Sequence, residues 1–219
     1  MDNPAKADWD GIEEINELTE SYDERYGQTF WNVFLELVGD SPRKTIADFG
    51  CGPGLFLADA TEKFQAEEIY GLDESSRMLQ RATLVLTGRV AVEKISLRQI
   101  DFDFQRLELQ PKSIELAFSG YLLHELMNPP NLLEQIYRVL DESGIYAVYD
   151  YISGDEEAFV DWMMNQGWSE KRAHEKYPHM AKHSLDDLKH LLEDAGFTVS
   201  ASRTINSVLA IIVGQREAA

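Results

Sequence analysis

Asp48-Phe49-Gly50-Cys51-Gly52-Pro53-Gly54 closes a short apolar run, Thr45-Ile46-Ala47, and opens an apolar-periodic one carrying Leu55, Phe56, Leu57, Ala58 and Ala60. The pattern predicts strand, tight glycine turn, helix. Glycines at three alternate positions let the backbone take positive φ and leave no Cβ between main chain and ligand. The helix that follows offers free N–H groups to the turn, where a carboxylate, phosphate or ribose oxygen can sit. A second run, Glu68-Ile69-Tyr70-Gly71-Leu72, ends in Asp73, nineteen residues after Gly54. An acid ending the second strand, about 20 residues on, can accept from both ribose hydroxyls. Turn and acid together predict a nucleoside site.

The dinucleotide fingerprint G-x-G-x-x-G/A needs a small residue at its third position, where helix and strand pack closely. Counted from Gly50, that position is the bulky Leu55, and the glycine comes one place early, at Gly54. The arrangement D-x-G-x-G-x-G resembles the first motif of the class I S-adenosylmethionine-dependent methyltransferases. Gly71-Leu72-Asp73-Glu74-Ser75-Ser76-Arg77-Met78-Leu79 resembles that family's second motif, G-x-D-x-S-x-x-M-L. The resemblance runs from about Lys44 to Arg216. It implies S-adenosyl-L-methionine as cofactor, held by Asp48, Gly50, Cys51, Gly52, Gly54, Asp73, Glu74 and Met78. It further implies that Asp101 accepts from the adenine amino group while the N–H of Phe102 reaches a ring nitrogen. N-terminal helices in that family fold over the cofactor, which makes Tyr22 and Tyr26 candidates to close the methyl-donor end. The same two residues read equally as partly buried helix tyrosines.

A chain of 219 residues suffices for one domain with a small cap. No run approaches 18 uncharged apolar residues, so no membrane span is expected. The acidic start lacks an apolar signal core, and the single cysteine suits a reducing compartment, so a cytoplasmic location is expected. Net charge is −19, and no Lys/Arg cluster exceeds two residues. Such a surface repels polyanions, which argues against nucleic acid and anionic membrane as partners. A monomer or homodimer acting on a small molecule is expected.

Residues 1–10 read as frayed. Ile12, Ile15 and Leu18 form one helical stripe, and Phe30, Phe34 and Val38 a second, which divides the chain into an N-terminal helical cap at 1–40 and a cofactor domain at 41–219. Ser75 can cap a helix carrying Met78, Leu79, Ala82, Val85 and Leu86. Strands are expected at Ile95–Ile100, Ile114–Ser119 and Gly144–Tyr149. A helix follows Asn128-Pro129-Pro130, and another starts at the capping-box-like Ser184-Leu185-Asp186-Asp187. Phe197–Ile205 and Val208–Val213 are joined by two residues only, which demands an antiparallel hairpin. The expected fold is α/β: a Rossmann-like, mainly parallel seven-stranded sheet ending in that hairpin, with helices on both faces.

In open α/β sheets the ligand lies beyond the carboxyl ends of the strands where strand order reverses. Residues after Phe118 therefore face the transferable group, with Ser119 on the cofactor side and Tyr121 and His124 as catalytic candidates. Methyl transfer from a sulfonium mostly needs alignment and water exclusion; a base is needed only if the acceptor keeps its proton. His124 could be that base or a packing residue. His124-Glu125 is no zinc-protease motif, since position 128 is asparagine, and His174, His179 and His183 lack zinc-ligand spacing, so no metal is expected. The segment 150–183 is rich in aromatics and is expected to cover the acceptor, with Tyr151, Trp162, Trp168 and Tyr177 as walls and Asp150 as polar anchor. A small cap burying its own core would use the same residues. Alkyl transfer or cyclisation of the aminobutyrate arm, or a cofactor-binding subunit without turnover, are the alternatives to methyl transfer.

Overall fold

The computed structural model describes residues 11–216; the expectation for residues 1–10 lies outside them. Three helices come first: α1 (Ile12–Glu20), α2 (Tyr22–Arg25) and α3 (Gln28–Val38). Then strands and helices alternate as β1 (Thr45–Phe49), α4 (Leu55–Phe64), β2 (Glu68–Asp73), α5 (Ser76–Thr87), β3 (Ile95–Gln99), β4 (Ile114–Gly120), α6 (Pro129–Val139) and β5 (Leu140–Tyr151). A helical pair, α7 (Glu156–Asn165) and α8 (Glu170–Met180), precedes α9 (Leu185–Asp194) and the hairpin β6 (Thr198–Thr204) and β7 (Leu209–Gln215).

The strands form one sheet in the order β3-β2-β1-β4-β5-β7-β6. Pairings from β3 across to β5 are parallel, and β7 runs antiparallel to both its neighbours. Central strands read as continuous apolar runs because helices cover both of their faces. One face packs Phe30, Phe34 and Val38 of α3 against Phe56 and Leu57 of α4 and Ala82 and Leu86 of α5. The other face packs Leu132, Leu133 and Ile136 of α6 with Leu188 and Leu192 of α9. Local chemistry fixes the helix starts. Ser75 Oγ accepts from Met78 N, Ser184 and Asp187 close a reciprocal capping box, and Pro129 opens α6 where no N–H is needed.

Most strand ends shift by one or two residues from the sequence reading, and β5 differs most, starting at Leu140 rather than Gly144. Strand β5 continues through Asp150 and Tyr151, which pair with Ala210 and Leu209 of β7. Those two residues are thus held by the sheet, and the helical insertion begins only after them. Sheet order reverses between β1 and β4, so the loops after Phe49 and Gly120 meet at the switch point.

Candidate active site

Backbone hydrogen bonds lock the glycine turn to the end of β2. The N–H groups of Gly50 and Cys51 both donate to Leu72 O, at 2.8 and 2.9 Å. Gly52 N donates to Asp73 Oδ2 at 2.8 Å, and Ser75 N donates to Asp73 Oδ1 at 2.9 Å. Asp73 therefore organises both motifs, and each of its oxygens keeps a lone pair for a further donor. Burial pushes its carboxyl up to about 6, although the backbone N–H groups of Ser75 and Gly52 pull the other way. The three turn glycines have different duties. A Cβ on Gly52, at φ +49°, would meet nothing within 4 Å, whereas one on Gly54 would lie 3.0 Å from the Ala82 Cβ. Gly52 leaves room on the ligand side; Gly54 lets α4 approach α5.

Asp48 is buried beside this turn, and among the described residues no donor hydrogen-bonds its carboxylate. Burial, then the Asp73 charge, holds its pKa well above the ordinary carboxylate range. A buried carboxylate in that condition suits an ammonium group. Asp48, Asp73, Glu74, Met78, Phe102 and the turn line one cavity, roofed by Tyr22 and Tyr26. The donor set fits S-adenosylmethionine: Asp73 for ribose hydroxyls, Gly52 for close main-chain approach, Asp48 for the amino group. The cavity is about 110 Å³, below the roughly 300 Å³ of ordinary ligand pockets. Tyr22 holds that roof by donating to Asp59 Oδ2 at 2.7 Å, and Tyr26 stacks on Tyr22 with ring centroids 5.1 Å apart.

A second cavity of about 360 Å³ adjoins the first. Tyr151, Trp162 and Trp168 form one side of it and the α1–α2 segment the other. Leu18, Arg25, Tyr121 and Glu125 line both cavities and mark their junction. Tyr121 adopts a left-handed backbone, φ +56°, which is uncommon for a residue with a side chain. Its N–H donates to Tyr149 O at 2.7 Å, and its buried hydroxyl has no hydrogen-bond partner among the described residues. An unpartnered donor at the junction is suited to an incoming ligand.

Of the two roles the sequence left open for His124, base or packing residue, its surroundings favour the second. It lies in a one-turn 3₁₀ segment, Leu123–Glu125, and lines neither cavity. Its Nδ1 is 2.6 Å from Asp150 Oδ1, and its Nε2 is 3.3 Å from Glu125 Oε1. Burial lowers the imidazole pKa, but the charge and hydrogen bond of Asp150, with help from Glu125, outweigh it and raise the value to about 9. At neutral pH this is a buried imidazolium held between two carboxylates. Asp150, the expected polar anchor, lines neither cavity. Its Oδ2 takes Leu123 N at 2.8 Å and His124 N at 3.3 Å, so it caps the 3₁₀ turn from behind. Glu125, absent from the sequence-based candidates, is an acid that lines both cavities.

Three further candidates lie outside the cavity linings. Asp101 does not line the cofactor cavity; its Oδ1 accepts from Asp103 N at 3.0 Å and shapes its own loop. Ser119 is buried against Tyr146, with their hydroxyls 2.7 Å apart, and does not line the cavity either. Tyr177 accepts from Gly154 N at 3.2 Å and packs on Phe159, so it joins α8 to the start of α7 and walls neither cavity. Among the described residues no His/Cys/Asp/Glu cluster could hold a metal, and no helix is long and apolar enough to cross a membrane.

A seven-stranded sheet of this order, with an acid-and-glycine nucleoside cradle at its switch point, is the architecture of the class I S-adenosylmethionine-dependent methyltransferases. The chain belongs to the methyltransferase-domain family, whose model matches residues 22–202, and it is an S-adenosylmethionine-dependent methyltransferase. An uncharacterised methyltransferase of Geobacillus kaustophilus is 26% identical over 198 residues, 86% of each chain. The trans-aconitate 2-methyltransferase of Deinococcus radiodurans is 30% identical over 112 residues, 51% of this chain and 40% of that one. Among solved structures, a Haloferax volcanii methyltransferase in complex with the Trm112 methyltransferase activator has TM-score 0.75 at 17% identity, covering 96% of this chain and 98% of that one. A SAM-dependent methyltransferase from Aquifex aeolicus has TM-score 0.71 at 17% identity, covering 92% and 96%. Identities this low show the shared fold.

Proposed function

We propose that this chain methylates a small molecule held in the 360 Å³ cavity, with S-adenosylmethionine in the glycine-turn cavity beside it. The observation that carries the reading is the junction: Tyr121 and Glu125 belong to both cavities, so an acceptor in one meets a donor in the other. When bound, the cofactor supplies an electrophilic methyl group on a sulfonium. The protein supplies alignment and exclusion of water, the main requirements of an in-line displacement. Tyr22 and Tyr26 roof the reacting end, and Tyr121 offers its unpartnered hydroxyl there. The acceptor cavity is of ordinary ligand size, and a net charge of −19 disfavours a nucleic-acid acceptor. A single, buried cysteine accords with a cytoplasmic enzyme.

Mass spectrometry of a metabolite extract incubated with enzyme and methyl-labelled S-adenosylmethionine tests this. A labelled product under about 500 Da, formed with one equivalent of S-adenosylhomocysteine, is the expected outcome. Methylthioadenosine as the by-product would show alkyl transfer instead. Label appearing only in macromolecules would refute a small-molecule acceptor.

A further inference from the structure

Resting on the assignment of the larger cavity to the acceptor, we infer that the acceptor is an amine, recognised as a cation by Glu125 and the aromatic walls and methylated on nitrogen. Glu125 is the deepest charge in this cavity, 8% exposed, and it stands at the junction where the transferred group must pass. Its carboxylate is fixed from two sides. Oε1 is 3.3 Å from His124 Nε2, and Oε2 is 3.3 Å from His179 Nε2 of α8. Burial favours the neutral acid, but His124 and then His179 overcome it and hold the carboxyl below its usual range. Behind them Asp150 pairs with His124 Nδ1 at 2.6 Å, so two carboxylates alternate with two imidazoles and Glu125 is the member of the group that lines the cavity.

Tyr121, Tyr151, Trp162 and Trp168 line the same cavity; the Arg25 guanidinium already lies 5.5 Å from the Tyr121 ring centroid, which leaves Tyr151 and Trp162 as the open rings. Aromatic faces attract an alkylammonium, most strongly where water is excluded. A carboxylate or phenolate acceptor would meet the opposite field, a buried anion of like charge beside the reacting atom. Arg25 is the opposing charge at the junction. It is half-buried, and its guanidinium already donates to Ser21 Oγ at 3.2 Å and Leu18 O at 2.7 Å. The other charges lining the cavity are of both signs, the half-buried Glu14 and Lys176 among them. Exposed Glu17 and Glu24 line it too, with Arg172, whose guanidinium is taken up by the Trp168 ring at 3.6 Å.

The reaction balances without a further reagent. The ammonium first releases one proton to water, freeing the nitrogen lone pair. That nitrogen attacks the methyl carbon; the N–C bond forms as the S–C bond breaks, and the S–C electron pair stays on sulfur. Positive charge moves from sulfur to nitrogen and remains beside Glu125 throughout. For an anionic acceptor the charge would instead be annihilated, and the carboxylate would gain nothing in the transition state.

Calorimetry on the wild-type enzyme saturated with S-adenosylhomocysteine tests the inference. The probes are three matched pairs: tryptamine and indole-3-propionate, phenethylamine and 3-phenylpropionate, hexylamine and hexanoate. At least one amine should bind tenfold or more tightly than its paired acid, and Glu125→Gln should cut that preference at least tenfold. Acids binding as well as the amines, no amine binding at all, or a preference that survives in Glu125→Gln would each overturn it. The wild-type comparison decides alone if Glu125→Gln does not fold. S-adenosylhomocysteine failing to bind the wild type is a separate result that overturns the two-cavity reading, and this inference with it.

Discussion

Burial pushes the Asp73 carboxyl up to about 6, against the pull of the backbone N–H groups of Ser75, Gly52 and Glu74, and that value lies close to neutral pH. Ribose hydroxyls need the ionised form as acceptor. Affinity for S-adenosylhomocysteine should therefore fall more than tenfold between pH 7.5 and 5, read by calorimetry, and the fall should vanish in Asp73→Ala. That variant should bind about 100-fold more weakly, a loss of about 2–3 kcal/mol of charge-assisted hydrogen bonds. His124 titrates with the opposite consequence. Its folded pKa of about 9 lies above the ordinary imidazole value of 6.5, so its stabilisation is complete below pH 6.5 and lost as pH rises through 9. The shift corresponds to something on the order of 3 kcal/mol. The thermal midpoint of the wild type should drop between pH 7 and 10, with a shallower drop in His124→Gln. An equal slope in both would show that His124 is not charged in the fold.

At the scale of elements, the glycine turn separates binding from packing. Gly52→Ala places a Cβ in open space but in a left-handed conformation, at a cost of about 1–2 kcal/mol. Gly54→Ala carries the same strain and also drives a methyl to within 3.1 Å of the Ala82 backbone. Thermal melts should show Gly54→Ala as the less stable variant. Cofactor titration should show Gly52→Ala losing the more affinity relative to its stability. The strand–turn–helix unit, the capping box and the closing hairpin were legible in the sequence because their signals are local, within a few residues. Asp150 was legible as a polar residue near the site but not as the partner of His124, since that contact joins positions 26 apart through the pairing of two strands. Glu125 was passed over for the same reason: nothing in His124-Glu125 says which of two neighbours on a one-turn helix faces a cavity. Asp101 sits at the expected strand end, yet the Gln105 and Asp103 contacts that turn it away arise in the following loop.

At the scale of the molecule, α7 and α8 serve both as wall and as part of the core. Trp162 and Trp168 line the larger cavity as well as packing on the core, whereas Phe159 is fully buried and Tyr177 packs against it without lining the cavity. Trp162→Ala and Trp168→Ala should raise acceptor KM several-fold with little change in melting temperature. Tyr177→Ala should lower the melting temperature and leave KM nearly unchanged. The reverse pattern would move the acceptor site away from this helical pair. The α1–α2 segment has a wider reach, since Leu18 and Arg25 face both chambers while Tyr22 and Tyr26 close the narrower one. If that segment moves when the cofactor seats, it would reshape one wall of the larger cavity as well. Affinities at the two chambers would then be thermodynamically linked, each ligand changing the other's dissociation constant by one and the same factor.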